Sequence, residues 1–415
     1  VKKNGLNYER LFQGILKIFF SKKEIARFNN LVSGEENKQK KIKSKNKDGQ
    51  QMEFNFNSNT SVQVQIDLLI TFASEKLASD KFLSLLQNLG QYCITVGELN
   101  SAISVYDNII RSTKKDKDLL EIRAEAVASL SEIHRRKAEW QDSFKLAKQA
   151  LNIFKKNNNR KGQAHCYNLI GTIYGELGDL NESQKYFEES LSLTRRSKDS
   201  EFKGKIEVNL GIINNVLGNY DKALSYFNRA LVTYQKVTNY KRIAEIQHNI
   251  GMMHINKNNP GIALKDFDKA IDTCIKIGYL PILGISYLGK SFTFTKQNDY
   301  KLAEAFADKA MLICHRIDDK LSIADIYKVM GIIQRNKKNF EKSENYLRTS
   351  MRINKELGNK LNEAETAYEL GILYKDLGNV SDSKTKFDDA LKYYRKLKAQ
   401  PKVNEIKEQL TALAV

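Results

Sequence analysis

The chain has 415 residues, 41% of them hydrophobic, with three prolines, four cysteines and a formal net charge of +19. So few prolines disfavour a loop-rich or all-β chain and suit long helices. No run reaches the roughly 18 apolar residues of a membrane span, and no signal peptide with a cleavage site is evident; the cysteines form no CxxC-type pair that would point to a metal or redox framework.

Residues 1–32 come first, an N-terminal helical segment in which Asn7–Val32 suits one or two helices. Leu11, Phe12, Ile15, Leu16, Phe19 and Phe20 lie beside Lys17, Lys22, Lys23 and Arg27. That combination can rest on an anionic membrane surface through residues 11–27, or dock on a partner or on the following helices. Residues 33–61 are rich in Lys, Asn, Gln and Ser and read as a basic polar linker, too polar to bury a core of its own. Its run Lys38–Lys47 is expected to be a solvated tether, with contact to nucleic acid or acidic lipid as the sharper alternative. The first 60 residues hold 13 Lys/Arg against 6 Asp/Glu, so much of the net charge sits there.

From residue 62 to 414 the chain repeats itself. GTIYGELGDLNESQKYFEESL (Gly171–Leu191) is followed 40 residues later by GIINNVLGNYDKALSYFNRAL (Gly211–Leu231). The anchor recurs at Gly90, Ser131, Gly171, Gly211, Gly251, Ser291, Gly331 and Gly371, and is always Gly or Ser. Twelve residues on stands Ala102, Ser143, Ser183, Ala223, Ala263, Ala303, Ser343 or Ser383. Sixteen residues on the side chain is large (Tyr106, Phe187, Phe227, Phe267, Leu347, Phe387), except for Ala147 and Ala307. Small residues at fixed points let two helices approach closely, and the large one fills the gap between them. Gly178-Asp179, Gly218-Asn219, Asn258-Asn259, Asn298-Asp299, Lys338-Asn339 and Gly378-Asn379 mark the turns, with the Asp or Asn placed to cap the next helix. Pro260 fits the first helical position. Val62–Ala78 reads as the second helix of a broken leading repeat, and residues 401–414 as a capping helix. Cys274 and Cys314 occupy the same repeat position and read as core fillers; unclustered cysteines of this kind (Cys93 and Cys166 are the others) suit a reducing, cytoplasmic setting.

The Leu-Gly-x-x-Tyr, Gly-Asn-Tyr, Ala-Leu and Tyr-Phe-x-x-Ala-Leu elements resemble the tetratricopeptide repeat (TPR), whose usual period is about 34 residues. The 40-residue period resembles the long-repeat branch found in kinesin light chains, cell-polarity adaptors and bacterial Rap-type regulators. The resemblance implies an all-α fold: a right-handed superhelix, or α-solenoid, of about eight helix-turn-helix repeats with terminal capping helices. It also implies that the first helices line a concave groove. The inward positions then include Asn168, Val208, Ile212, Asn215, Val216, His248, Met252, Ile255, Asn256, Leu288, Phe292, Lys328, Arg335, Asn336 and Tyr368. Val208, Ile212, Val216, Met252, Ile255, Leu288 and Phe292 would form an exposed apolar patch of the kind that marks binding. Asn168, Asn215, Asn256 and Asn336 resemble groove asparagines that hold a ligand's peptide backbone, which an amide does by donating and accepting at once. The alternative is that the groove is filled from within, by the N-terminal segment or by closure of the superhelix.

Nothing in the chain predicts catalysis. His165-Cys166 and Cys314-His315 are sequence neighbours, so on a helix they point about 100° apart and make no nucleophile–base pair. His248 and His254, six apart, share a face poorly. Glycines occur singly, without a phosphate-binding loop, and no metal or cofactor is expected. The inward positions mix both charge signs, which argues against a nucleic-acid channel. A carboxylate clamp built on Arg135, Arg136, His165 and Asn168 is disturbed by Glu132 and Glu176. The expectation is a non-enzymatic scaffold or adaptor that binds a peptide or helix of a protein partner. The alternatives are a regulatory or sensor module cut from a larger signalling protein, and nucleic-acid or anionic-membrane contact through the basic N-terminal segment.

Overall fold

The structure, a computed structural model, describes residues 8–45, 59–114, 116–137, 139–195, 199–396 and 400–413. Every regular element among them is an α-helix. The chain divides into two units, Val1–Ile173 and Tyr174–Val415.

The first unit opens with α1 (Tyr8–Phe19), α2 (Lys22–Lys45) and α3 (Asn59–Lys76). Two helix pairs follow: α4 (Ser79–Val96) with α5 (Leu99–Ser112), and α6 (Leu120–Arg136) with α7 (Trp140–Lys156). The next helix, α8 (Arg160–Leu177), crosses the boundary between units. Phe12, Leu16, Phe20 and Phe28 sink into one core with Ile66, Leu69 and Phe72 of α3 and Leu85, Leu86 and Leu89 of α4. The Phe20 and Phe28 rings lie 5.4 and 5.9 Å from that of Phe72. The apolar face considered for membrane contact is therefore consumed by docking on α3 and α4, and only Leu11 and Ile18 of α1 remain exposed. The boundary expected at residue 32 also moves. Helix α2 runs on to Lys45 and α3 starts at Asn59, so the 33–61 stretch is largely helical where it is described. Once Phe28 is packed, the helix nucleus exists, and Lys, Gln and Glu extend it at little cost. Residues 46–58, including Lys47 of the basic run, lie outside the described residues.

The second unit contains α9 (Leu180–Thr194) and then five helix pairs: α10 (Ser200–Val216) with α11 (Tyr220–Lys236), α12 (Tyr240–Asn256) with α13 (Pro260–Ile277), α14 (Leu280–Lys296) with α15 (Tyr300–Arg316), α16 (Lys320–Asn336) with α17 (Phe340–Glu356), and α18 (Lys360–Asp376) with α19 (Val380–Lys396). The cap α20 (Gln400–Ala412) packs on α19. Each pair is antiparallel, and consecutive pairs stack, which is the α-solenoid the repeat implied.

The seam within each pair explains the small anchors. A Cβ added at Gly211, Gly251 or Gly371 would lie 2.5, 2.7 or 2.7 Å from the ring sixteen residues on, Phe227, Phe267 or Phe387; at Gly331 the obstacle is Leu347 at 2.6 Å. Where the anchor is serine, the residue sixteen on is alanine: Ser131 goes with Ala147 and Ser291 with Ala307. The Cβ then occupies room that the ring takes elsewhere. The serine hydroxyl meanwhile satisfies a backbone carbonyl of the facing helix: Ser291 Oγ donates to Ala303 O at 2.7 Å and Ser131 Oγ to Ser143 O at 2.6 Å. Ser343 and Ser383 make the same bond in reverse, to Gly331 O and Gly371 O, each at 2.8 Å.

Turns recur every 20 residues in the second unit. One residue of each takes a left-handed conformation: Gly218, Thr238, Asn258, Gly278, Asn298, Asp318, Lys338, Gly358 and Gly378. The following amide reaches back into the preceding helix, as Asn219 N does to Asn214 O at 2.8 Å, closing the last turn in the Schellman manner. Side chains of Asp179, Asp199, Asn239, Asp299, Asp319 and Asn359 accept from the third amide of the next helix, whereas Asn219, Asn259 and Asn339 occupy the cap position without that bond. Pro260 opens α13 as expected.

Candidate functional site

Within the second unit α10, α12, α14, α16 and α18 contact one another in sequence as well as their own partners, and the second helices make no comparable contact among the described residues. The first helices are thus the closer-spaced layer, and their outward surface is the inner face of this array.

Helix α10 presents Ile212 and Val216 to solvent, 39% and 52% exposed. Beside them Asn256 Nδ2 of α12 donates to Asn215 Oδ1 at 3.2 Å, joining two repeats through their amides. The other apolar positions are withdrawn. Ile255 is 3% exposed in a core cluster with Ala263 and Phe267, on which Met252 and Phe292 lie half-buried. Leu288 packs half-buried against Ala303, Val329 and Ile333, and Val208 against the cluster of Phe227 and Ile246. The exposed patch expected over seven apolar positions is therefore reduced to Ile212 and Val216, because direct contact between successive first helices turns the remaining positions toward a neighbour. His248 is also buried. Its Nδ1 lies 3.2 Å from Ser286 Oγ, its ring centroid is 5.5 Å from that of Phe267, and burial pushes its pKa down to about 4. Asn168 belongs to α8 in the first unit and is buried there.

The later repeats supply charge, already matched. Lys328 of α16 bonds Asp325 at 3.1 Å and Glu365 of α18. Burial alone would lower the Lys328 pKa, but Glu365 and Asp325 outweigh it and hold the ammonium charged. Asn362 Nδ2 adds a bond to Asp325 Oδ1 at 2.9 Å. Arg335 donates to Glu369 Oε2 at 2.6 Å and lies 3.7 Å from Asp376. Tyr368 is half-buried, and its hydroxyl pKa is raised by burial and by the charge of Glu405, to which it is hydrogen-bonded. The Lys402 ammonium stands 5.3 Å from the Tyr368 ring centroid and 2.7 Å from Glu405 Oε2. Asn336 is exposed at the end of α16. Both signs are present, as the sequence implied, and most of them bridge neighbouring repeats.

Two features of this face escaped the sequence reading. Lys402 projects from the cap helix, outside the repeat offsets that define the groove. Glu207 of α10, 2% exposed, lies 3.1 Å from Arg229 Nε; burial raises its pKa despite that arginine. Its repeat counterparts, Gln247 and Tyr287, carry no charge, so periodicity offered no signal. The four cysteines are buried, and burial pushes the thiols of Cys93, Cys166 and Cys274 up to about 12 and that of Cys314 to about 11. Among the described residues no group of three or more His, Cys, Asp or Glu could hold a metal ion, and no helix is long and apolar enough to cross a membrane.

Residues 123–196 and 203–276 match the tetratricopeptide repeat family model. The chain carries tetratricopeptide repeats, and the same helix-and-turn unit continues beyond those segments to residue 396. No curated protein matches the chain. Among solved structures it is similar to the apo form of RapI (TM-score 0.57, 13% identity, 91% of this chain and 98% of that one covered). It is also similar to the Rap conjugation gene regulator of plasmid pLS20 in complex with the Phr* peptide (TM-score 0.55, 16% identity, 85% and 97% covered). A third is aspartyl phosphate phosphatase F from Bacillus subtilis (TM-score 0.53, 17% identity, 83% and 92% covered). At these identities the likeness is one of fold.

Proposed function

We propose that this TPR chain is a non-catalytic scaffold that holds a peptide or helix of a protein partner on the inner face of its second unit, with α10 and α12 as the principal contact. The observation that carries the reading is the exposure of Ile212 and Val216 beside the paired amides of Asn215 and Asn256. Apolar side chains next to groups that donate and accept suit a polypeptide, which offers side chains and backbone polar groups together. The similar conjugation regulator holds a peptide according to its title, which supports the same use of the fold here. The buried thiols and the buried His248 favour a non-catalytic role over the phosphatase activity that another neighbour's title names. A regulatory module of a larger signalling protein is a finer version of this reading. The docked apolar face of α1 weighs against membrane contact.

The test is capture of partners from a lysate on immobilised protein, comparing wild type with Ile212→Asp/Val216→Asp. Both positions are solvent-exposed, so the variant is expected to keep its helical circular dichroism. A protein retained by wild type and lost with the variant supports the reading; identical retention by both rejects α10 as the contact.

A further inference from the structure

We propose that the inner face of the second unit recognises a carboxylate of its bound peptide between Lys296 of α14 and Lys402 of α20. The inference rests on the peptide-binding reading above and adds the chemistry of one subsite.

Lys296 is the last residue of α14, five positions after the anchor Ser291, and its ammonium lies 5.2 Å from the Phe292 ring centroid. Lys402 is held in the same way over Tyr368, at 5.3 Å. An ammonium on an aromatic face is positioned by the ring while its outer N–H groups stay free to donate. The two lysines are within Coulombic reach of one another, although α14 and α20 are separated by two repeats. Burial lowers the Lys296 pKa, Lys402 lowers it further, and Glu405 opposes them. Helices α14 and α20 therefore address a common space.

The other cations of this face have partners. Lys328 is taken by Asp325 and Glu365, Arg335 by Glu369 and Asp376. Lys402 bonds Glu405, a carboxylate that is also hydrogen-bonded to Tyr368. Among the described residues no carboxylate lies within ion-pair distance of Lys296. Two ammoniums against one carboxylate leave a surplus of one positive charge in a partly desolvated space. A single incoming carboxylate neutralises that surplus and gains charge-assisted hydrogen bonds to groups already held in place. A dianionic phosphate would overshoot it beside Glu405. The carboxylate could belong to an Asp or Glu side chain or to a free peptide C-terminus.

The experiment is affinity selection with two soluble random hexapeptide libraries, one ending in a free acid and one in an amide, with retained peptides identified by mass spectrometry. The baits are wild type, Lys296→Met, Lys402→Met and Lys296→Arg, each checked by circular dichroism. Wild type is expected to retain peptides enriched in Asp or Glu from both libraries, or peptides from the acid library alone; the first pattern assigns the carboxylate to a side chain and the second to the C-terminus. Lys296→Met should reduce that preference at least about tenfold, Lys402→Met should weaken it, and Lys296→Arg should keep it. Retention by wild type without carboxylate preference, or with a preference unchanged in both methionine variants, overturns the proposal and leaves peptide binding standing. Retention of no peptide at all overturns the peptide-binding reading and the subsite with it.

Discussion

The pairing of a small anchor with a large side chain sixteen residues later can be tested by converting one seam into another that the chain already uses. Gly211 faces Phe227, which is fully buried; a Cβ at 211 would lie 2.5 Å from Cε1, 2.7 Å from Cδ1 and 2.9 Å from Cζ of that ring. Gly211→Ser should therefore destabilise the pair α10/α11 by roughly 1–3 kcal/mol through overpacking, less roughly 0.5 kcal/mol from the better helix propensity of serine. Phe227→Ala should cost roughly 3–5 kcal/mol as a cavity. The double variant recreates the Ser291 and Ala307 arrangement, in which the serine hydroxyl donates to Ala303 O at 2.7 Å. A serine introduced at position 211 would place its Cβ in the vacated space and reach the carbonyl of Ala223. The double should then be less destabilised than the sum of the singles by about 1 kcal/mol or more, the size expected of residues sharing one space. Serine is smaller than the ring, so a net cost against wild type remains. Stacked repeats can unfold piecemeal, so hydrogen exchange of the α10 and α11 amides is the primary readout, with urea midpoints as a check. A neutral Gly211→Ser, or strict additivity in the double, would show that the two positions do not compete for space.

Two further outcomes are expected. His248 titrates near 4 in the folded protein against an ordinary 6.5, because burial disfavours the charged ring. The unfolded chain then binds a proton that the folded one refuses, so this residue's contribution is full above pH 6.5 and is lost as the pH falls toward 4, by up to roughly 3 kcal/mol; His248→Asn should flatten the urea midpoint over that window, and an unchanged slope would remove His248 as its source. Thr238 holds a left-handed turn at φ 51, a strained setting for a β-branched residue. Thr238→Gly should raise the stability of the α11–α12 junction by roughly 0.5–1 kcal/mol after the unfolded-state entropy of glycine is set against the relieved strain; increased exchange of the α12 amides in the variant would contradict this.

The architecture was legible in the sequence because its constraint is steric and local. Two helices that approach at Gly251 leave no room for a Cβ beside Phe267, and the same demand at every pair produces a period that can be counted. The alternation of Gly–Phe with Ser–Ala was visible as an exception at Ala147 and Ala307, but its meaning required the facing carbonyls. The N-terminal segment was less legible. The apolar stripe of Phe12, Leu16 and Phe20 fits a membrane, a partner or α3 and α4 equally well until the docked surface is seen. The extension of α2 to Lys45 likewise depends on a nucleus supplied by tertiary packing rather than by its own composition.

The candidate site was legible only as a set of offsets. Offsets specify the direction of a side chain on its own helix and not the distance to the next one. Val216 and Ile255 occupy similar places at the ends of α10 and α12, yet one is 52% exposed and the other 3%. The same limitation separates two roles on the inner face. Lys328 with Glu365, Arg335 with Glu369, and Asn215 with Asn256 join consecutive repeats, so the hydrogen bonds of these groups are committed to the stacking of the array. A ligand that recruits one of them must break or share an inter-repeat bond. Removing one partner of a buried charged pair strands the other at a cost of roughly 3–5 kcal/mol, more than a single new contact returns. Recognition is therefore concentrated on inner-face groups that bridge nothing: Ile212, Val216 and Lys296. A partner that binds through these three can be exchanged for another without loosening the solenoid that presents them.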